Sequence, residues 1–187
     1  MSPLALTFLI AGVTCALAWV ASLVTGDTSL VDRMWSIVPI AYAWVFAAAH
    51  LDNARLDVMA ALISLWGVRL TFNFARKGGY RGVEDYRWAV LRSSMRPWQF
   101  QLFNLFFIVL YQNALLVLIT LPARTAYQHR STPFGAMDYL LTVCFLLFTA
   151  GETVADQQQW NFHQWKRAEV QAGRSPSPRF LQSGLFR

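Results

Sequence analysis

Five long apolar stretches, residues 3–24, 30–49, 56–74, 102–121 and 134–151, leave this 187-residue chain few ways to fold. A bilayer core of about 30 Å is crossed by roughly 20 apolar residues in helical form, and only closed hydrogen bonding satisfies the backbone where water is absent. The stretches therefore predict an all-α, polytopic membrane helix bundle of about five transmembrane helices. The 14% charged residues, against about 25% in ordinary globular domains, agree with that reading. The first stretch has no basic flank before it and is too long for a signal-peptide core, so it is expected to remain as a helix. Residues 1–187 read as one transmembrane domain, ending in an amphipathic segment that carries Trp160, Phe162 and Trp165 among polar residues and suits a membrane surface.

The basic residues divide unevenly between the two faces. Arg33, the connection after the third stretch (Arg76, Lys77, Arg81, Arg87, Arg92, Arg96) and the tail (Lys166, Arg167, Arg174, Arg179, Arg187) fall on one side; Arg55, Arg124 and Arg130 fall on the other. The positive-inside rule puts the rich side in the cytoplasm, the N-terminus outside or in the lumen, and the amphipathic C-terminal segment in the cytoplasm. In a eukaryote the membrane would be the endoplasmic reticulum, in a bacterium the inner membrane. Because these cations are interspersed with apolar spans, they read as lipid headgroup contacts and not as a nucleic-acid surface.

Ionisable groups are costly near hydrocarbon, so each is weighed as a site residue against an ordinary interfacial charge. Asp32, Arg69, Glu152 and Asp156 all fall at the predicted cytoplasmic ends of their helices. Taken singly, each suits the water interface. Together they suggest a pocket that admits a lipid from the bilayer and a soluble partner from the cytosol. Asn104, Gln112 and Asn113 read as amides that bond helix to helix, and Trp19, Trp35, Trp44, Trp98, Tyr111 and Tyr139 as interfacial belt residues. Cys15 and Cys144, inside apolar stretches, define neither a disulfide framework nor a metal site. The Gly-rich run 78–82 is no Walker loop.

The ordered strings Val31-Asp32-Arg33-Met34-Trp35, Leu65-Trp66-Gly67-Val68-Arg69-Leu70, Glu84-Asp85-Tyr86-Arg87-Trp88, Ala155-Asp156-Gln157-Gln158 with Phe162, and Ser183-Gly184-Leu185-Phe186-Arg187 resemble the steroid 5-alpha-reductase-like membrane proteins, in their uncharacterised steroid-reductase-related branch. The resemblance implies an oxidoreductase of lipid metabolism: reduction of a carbon–carbon double bond conjugated to a carbonyl, in a lipid or steroid substrate, with NADPH. Asp32 takes the position of the acid that bonds the carbonyl oxygen. Trp66 stands where the steroid reductases carry a tyrosine; as a poorer proton donor it leaves Tyr86 as a substitute. Arg69, Glu152 and Asp156 align with positions near the cofactor. The family continues with a Ser-Arg-His-Pro-Asn-Tyr run and further helices; the expectation is that this chain is truncated before them and binds NADPH weakly. Two alternatives stay open: an S-adenosylmethionine-dependent enzyme of the isoprenylcysteine carboxyl methyltransferase type, and a non-catalytic membrane fragment.

Overall fold

The structure, a computed structural model, describes residues 1–81 and 86–187, and of Tyr86 the backbone alone. Among the described residues it is all helix without strands, and four helices are long and apolar enough to cross a bilayer: Pro3–Thr25 (α1), Ala54–Arg76 (α4), the continuous Pro97–Gln128, and Ala136–Gln171 (α8). It is a polytopic helical membrane protein. Residues 1–138 form one compact unit and residues 139–187 a second.

The stretch at residues 30–49, expected as one span, is broken into Leu30–Met34 (α2) and Val38–Ala48 (α3). Pro39 is the cause. It cannot donate to the carbonyl of Trp35, and its ring crowds that carbonyl, so the helix stops and restarts at a proline-compatible first turn. The irregular turn is held from outside. Ser36 Oγ lies 2.7 Å from Thr71 Oγ1 on α4, and a Cβ at Gly67, one turn before Thr71, would run into the Ser36 carbonyl and the Ile40 side chain. Gly67 thus lets α4 approach the break at backbone distance.

Three layers of side chains fill the first unit. At one end Ala43, Phe46 and Ala47 of α3 meet Leu56 and Ala60 of α4 and Ala123 and Ala126 of Gln112–Gln128 (α7). In the middle Ala11 of α1 packs with Val38, Tyr42, Leu116 and Val117. At the other end Ala18 and Val31 surround Trp88 of Tyr86–Ser94 (α5) with Ile108 and Val109. Alanines dominate the helix contacts because hydrocarbon offers no hydrophobic drive between helices, and close backbone packing must supply the attraction.

The span Pro97–Gln128 is not uniform: Pro97–Phe103 (α6) passes into π-helical Asn104–Tyr111 before α7. The wide segment has a structural reason. Asn104 and Asn113 are nine residues apart, two and a half turns of ordinary α-helix, which would set them on opposite faces. Turns closed by i→i+5 bonds take more residues each and bring both amides to α1. There Asn104 Nδ2 donates to Ser22 Oγ at 2.8 Å, and Thr14 Oγ1 donates to Asn113 Oδ1 at 3.1 Å. Gln112 accepts from the Trp35 indole at 3.1 Å. Asn104 and Asn113 bond helix to helix, as their placement suggested, and Gln112 bonds the break between α2 and α3. Trp19 and Trp35, both half-buried, pack against the cluster around Trp88.

At the end of the unit formed by residues 49–53 and 129–135, Arg55 clasps Asp138 with two prongs, 2.6 and 2.8 Å, and donates to the Pro133 carbonyl at 3.1 Å. Asn53 caps α4 by accepting from Leu56 N and donates to the Arg130 carbonyl.

In the second unit α8 continues without interruption to Gln171. Its 36 residues measure about 54 Å, well beyond a bilayer core. The amphipathic segment expected to lie on the membrane surface is instead the continuation of the spanning helix, because no proline or glycine pair breaks it after Gly151. The helix ends before Gly173, whose positive φ of 72° turns the chain.

Candidate active site

Asp32 is positioned by a short, heavily tied connection. Gly26 closes α1 in the left-handed conformation, φ 71°, and its N–H bonds the Ser22 carbonyl. Asp27 then accepts the Ser29 N–H at 2.8 Å and the Arg33 guanidinium at 2.6 Å, a side-chain turn that starts α2. Burial pushes the Asp27 carboxyl up, but the Ser29 N–H and the Arg33 guanidinium outweigh it and hold the group below its ordinary value of 3.8. From the other side, Tyr80 OH donates to the Arg33 carbonyl at 3.0 Å, and Arg33 Nε reaches the Gly79 carbonyl at 3.4 Å.

So fixed, α2 buries Val31 in the cluster around Trp88 and leaves Asp32 half-buried beside it. The Trp88 indole N–H donates to Asp32 Oδ2 at 3.1 Å. Trp88 itself is 6% exposed, so this hydrogen bond is made by a donor that water barely reaches. Arg87 lies over the Trp88 ring, 5.5 Å from its centroid, and adds positive potential next to the carboxylate.

Of the other expected residues, Trp66 and Arg69 lie three apart on α4, both half-buried. Gly67 and Thr71 define the face of α4 that meets the Ser36 break. Arg69, two residues from each, projects from the opposite side of the helix. The structure gives Asp32 the Trp88 indole as a partner. Tyr86 begins α5, and its side chain lies outside the described residues, as do Glu84 and Asp85.

In the second unit Glu152 is exposed and Asp156 half-buried, one turn apart on α8. The tail folds back two residues beyond Asp156: Leu185 N–H donates to Gln158 Oε1 at 3.0 Å, and Gly184, φ 66°, packs where any side chain would strike the Gln158 amide. Gln158 and Asp156, two positions apart, stand on opposite sides of the helix. Lys166 Nζ meets the Arg179 carbonyl at 3.4 Å and secures the returning segment.

Trp88 is the residue that sequence reasoning missed. It stands in one of the strings that carry the resemblance, yet the connection after α4 read as a loop. The available signal was an indole inside a basic, polar segment, which needs both a hydrophobic cover and an acceptor for its N–H.

Comparison with known proteins follows the same residues. A family model described as a protein of unknown function (DUF1295) matches residues 18–187. The uncharacterized protein C594.04c of Schizosaccharomyces pombe is 38% identical over 168 residues, covering 87% of this chain and 48% of the yeast protein. The chain therefore spans about half the length of the curated relative it matches. No solved structure matches it.

Proposed function

The chain belongs to the DUF1295 family of membrane proteins, and from that premise we propose that it works as a steroid 5-alpha-reductase-like enzyme, reducing the double bond of an enone lipid or steroid. The observation that carries the reading is the Asp32–Trp88 hydrogen bond at the end of an apolar bundle. Adding hydride to the β carbon of an enone drives negative charge onto the carbonyl oxygen, and a prepositioned acid lowers that barrier. The step needs Asp32 in its protonated form; with Oδ2 accepting from the indole, Oδ1 is the oxygen that takes up the proton and then hydrogen-bonds the substrate carbonyl. Tyr86, two residues before Trp88, takes the part of second proton donor, and Trp66 shapes the apolar wall. One hydride and one proton then saturate the carbon–carbon bond.

NADPH, when bound, supplies the hydride. The family resemblance assigns Arg69 to phosphate oxygens, and assigns Glu152 and Asp156, one turn apart on α8, to ribose hydroxyls. The substrate enters from the bilayer and the cofactor from the cytosol, on the side where twelve of the basic residues lie.

The test is NADPH consumption by purified protein in detergent with a panel of enone steroids and enone lipids, the product being identified by mass. Asp32→Ala, which removes the donor, should lower turnover by about 10²- to 10³-fold, the cost typical of removing one oxyanion donor. Methyl transfer from S-adenosylmethionine in place of NADPH oxidation would replace this reading with the methyltransferase one.

A further inference from the structure

A cavity of about 280 Å³ opens at the Gly26 end of the first unit, apart from the Asp32–Trp88 pair. Its polar wall consists of Ser22, Thr28 and Gln101; its apolar wall of Met95, Pro97 and Phe100. Ser22 and Thr28 are 3% and 4% exposed, so their hydroxyls belong to the interior and not to the surface. The Gln101 amide oxygen is buried and, among the described residues, has no hydrogen-bond partner. One turn further along the same span, Asn104 is fully buried; its Nδ2 is spent on Ser22 Oγ and its Oδ1 has no partner either. A buried acceptor without a donor is costly, and that of Gln101, on the wall of this cavity, points to a donor that arrives from outside the protein.

The chemistry of that donor follows from the wall. Arg92 is the charged residue on it, and its guanidinium is laid on the wall itself: Nη2 donates to the Gly26 carbonyl at 2.9 Å and the group stacks 4.8 Å from the Phe100 ring centroid. The Ser22 hydroxyl is spent, donating to the Trp19 carbonyl at 2.7 Å and accepting from Asn104, so the polar group left for a ligand is the Gln101 amide, which pairs with a neutral group able to donate and accept, namely an alcohol. The cavity is smaller than the roughly 300–1,000 Å³ usual for drug-sized ligands, so it takes a headgroup and not a whole lipid. It sits where α1 ends and α6 begins, the depth at which lipid headgroups meet acyl chains, and Met95, Pro97 and Phe100 suit the first carbons of a chain. We propose that this cavity binds the uncharged glycerol headgroup of a membrane lipid, with Gln101 accepting from a headgroup hydroxyl.

The probe is 1-oleoylglycerol added to the purified full chain in detergent, with binding read by titration and by the thermal unfolding midpoint. The expected result is saturable binding and a raised midpoint. Its dimethoxy analogue, which keeps the oxygens and the chain but has no hydroxyl, should bind at least about tenfold more weakly, as should 1-oleoylglycerol on Gln101→Met, while Gln128→Met at the exposed far end should bind as the unaltered chain does. The methylated lipid needs no variant, so the test stands even where Gln101→Met folds poorly. The proposal is overturned by equal binding of the two lipids, by absence of saturable binding (a cavity holding water only), by preference for oleoyl phosphatidylglycerol, or by free glycerol binding as tightly as the lipid. All of these readouts are independent of NADPH oxidation, so this site and the reductase reading fail separately.

Discussion

Trp88 donates its indole N–H to Asp32 Oδ2 across 3.1 Å, joining a helix from the polar connection to a carboxylate at the start of the broken second stretch. The bond unites two segments 56 residues apart and orients the acid at the centre of the proposed chemistry. Trp88→Phe keeps an aromatic ring among Ala18, Val31, Ile108 and Val109 but removes the donor. It should destabilise the chain by about 1.5–3 kcal/mol, the range for hydrogen bonds to charged groups, whereas Trp88→Ala should cost about 3–5 kcal/mol through the lost packing as well. Circular dichroism during denaturation in mixed micelles measures both. Near-additive losses for Trp88→Phe and Asp32→Ala in the double variant would show that the pair is not coupled.

Gly67→Ala offers a test by sign. In an exposed helix interior, replacing glycine with alanine stabilises by about 1 kcal/mol. Here the new methyl group meets the Ser36 carbonyl and the Ile40 side chain, and the carbonyl belongs to backbone that Pro39 has already displaced. The variant should melt below the unaltered chain and free the Ser36–Thr71 hydroxyl contact. A higher melting point would mean that α4 does not approach the break so closely.

Acid should act on the connection before α2. Asp27 is held below its ordinary value of 3.8 in the folded chain. A depressed carboxylate contributes stability that is present above the unfolded value and lost as pH falls from about there through the folded value. Asp27→Asn preserves the acceptor for the Ser29 N–H while removing the charge that Arg33 meets. The midpoint gap between the two proteins should be constant near neutrality and close as pH drops below 3.8. A gap that widens in acid would contradict the assignment.

The orientation proposed from the basic residues is checked by cysteine labelling in a background without Cys15 and Cys144. Lys77→Cys and Arg174→Cys should react with a membrane-impermeant reagent only from the cytoplasmic side, and Ser131→Cys only from the opposite side. Reaction of Lys77→Cys from outside would invert the topology.

The apolar stretches by themselves determined that the chain is a helical membrane bundle, since length and hydrocarbon content alone decide whether a helix can cross a bilayer. They also marked Asn104, Gln112 and Asn113 as interhelical amides, because an amide in hydrocarbon must find a partner. The family resemblance, carried by short strings such as those around Asp32 and Asp156, was legible too. Only the tertiary structure decided what those residues meet. Hydropathy averages over a window and does not register a single Pro39, so the break at Trp35–Ile37 was invisible until Gly67 and Thr71 were seen to accommodate it. The helical period cannot foretell a π-helical segment, which is selected by the distant partners Ser22 and Thr14. Trp88 reaches Asp32 through packing between segments far apart in the chain, and local sequence carries no record of which buried donor will face which acceptor.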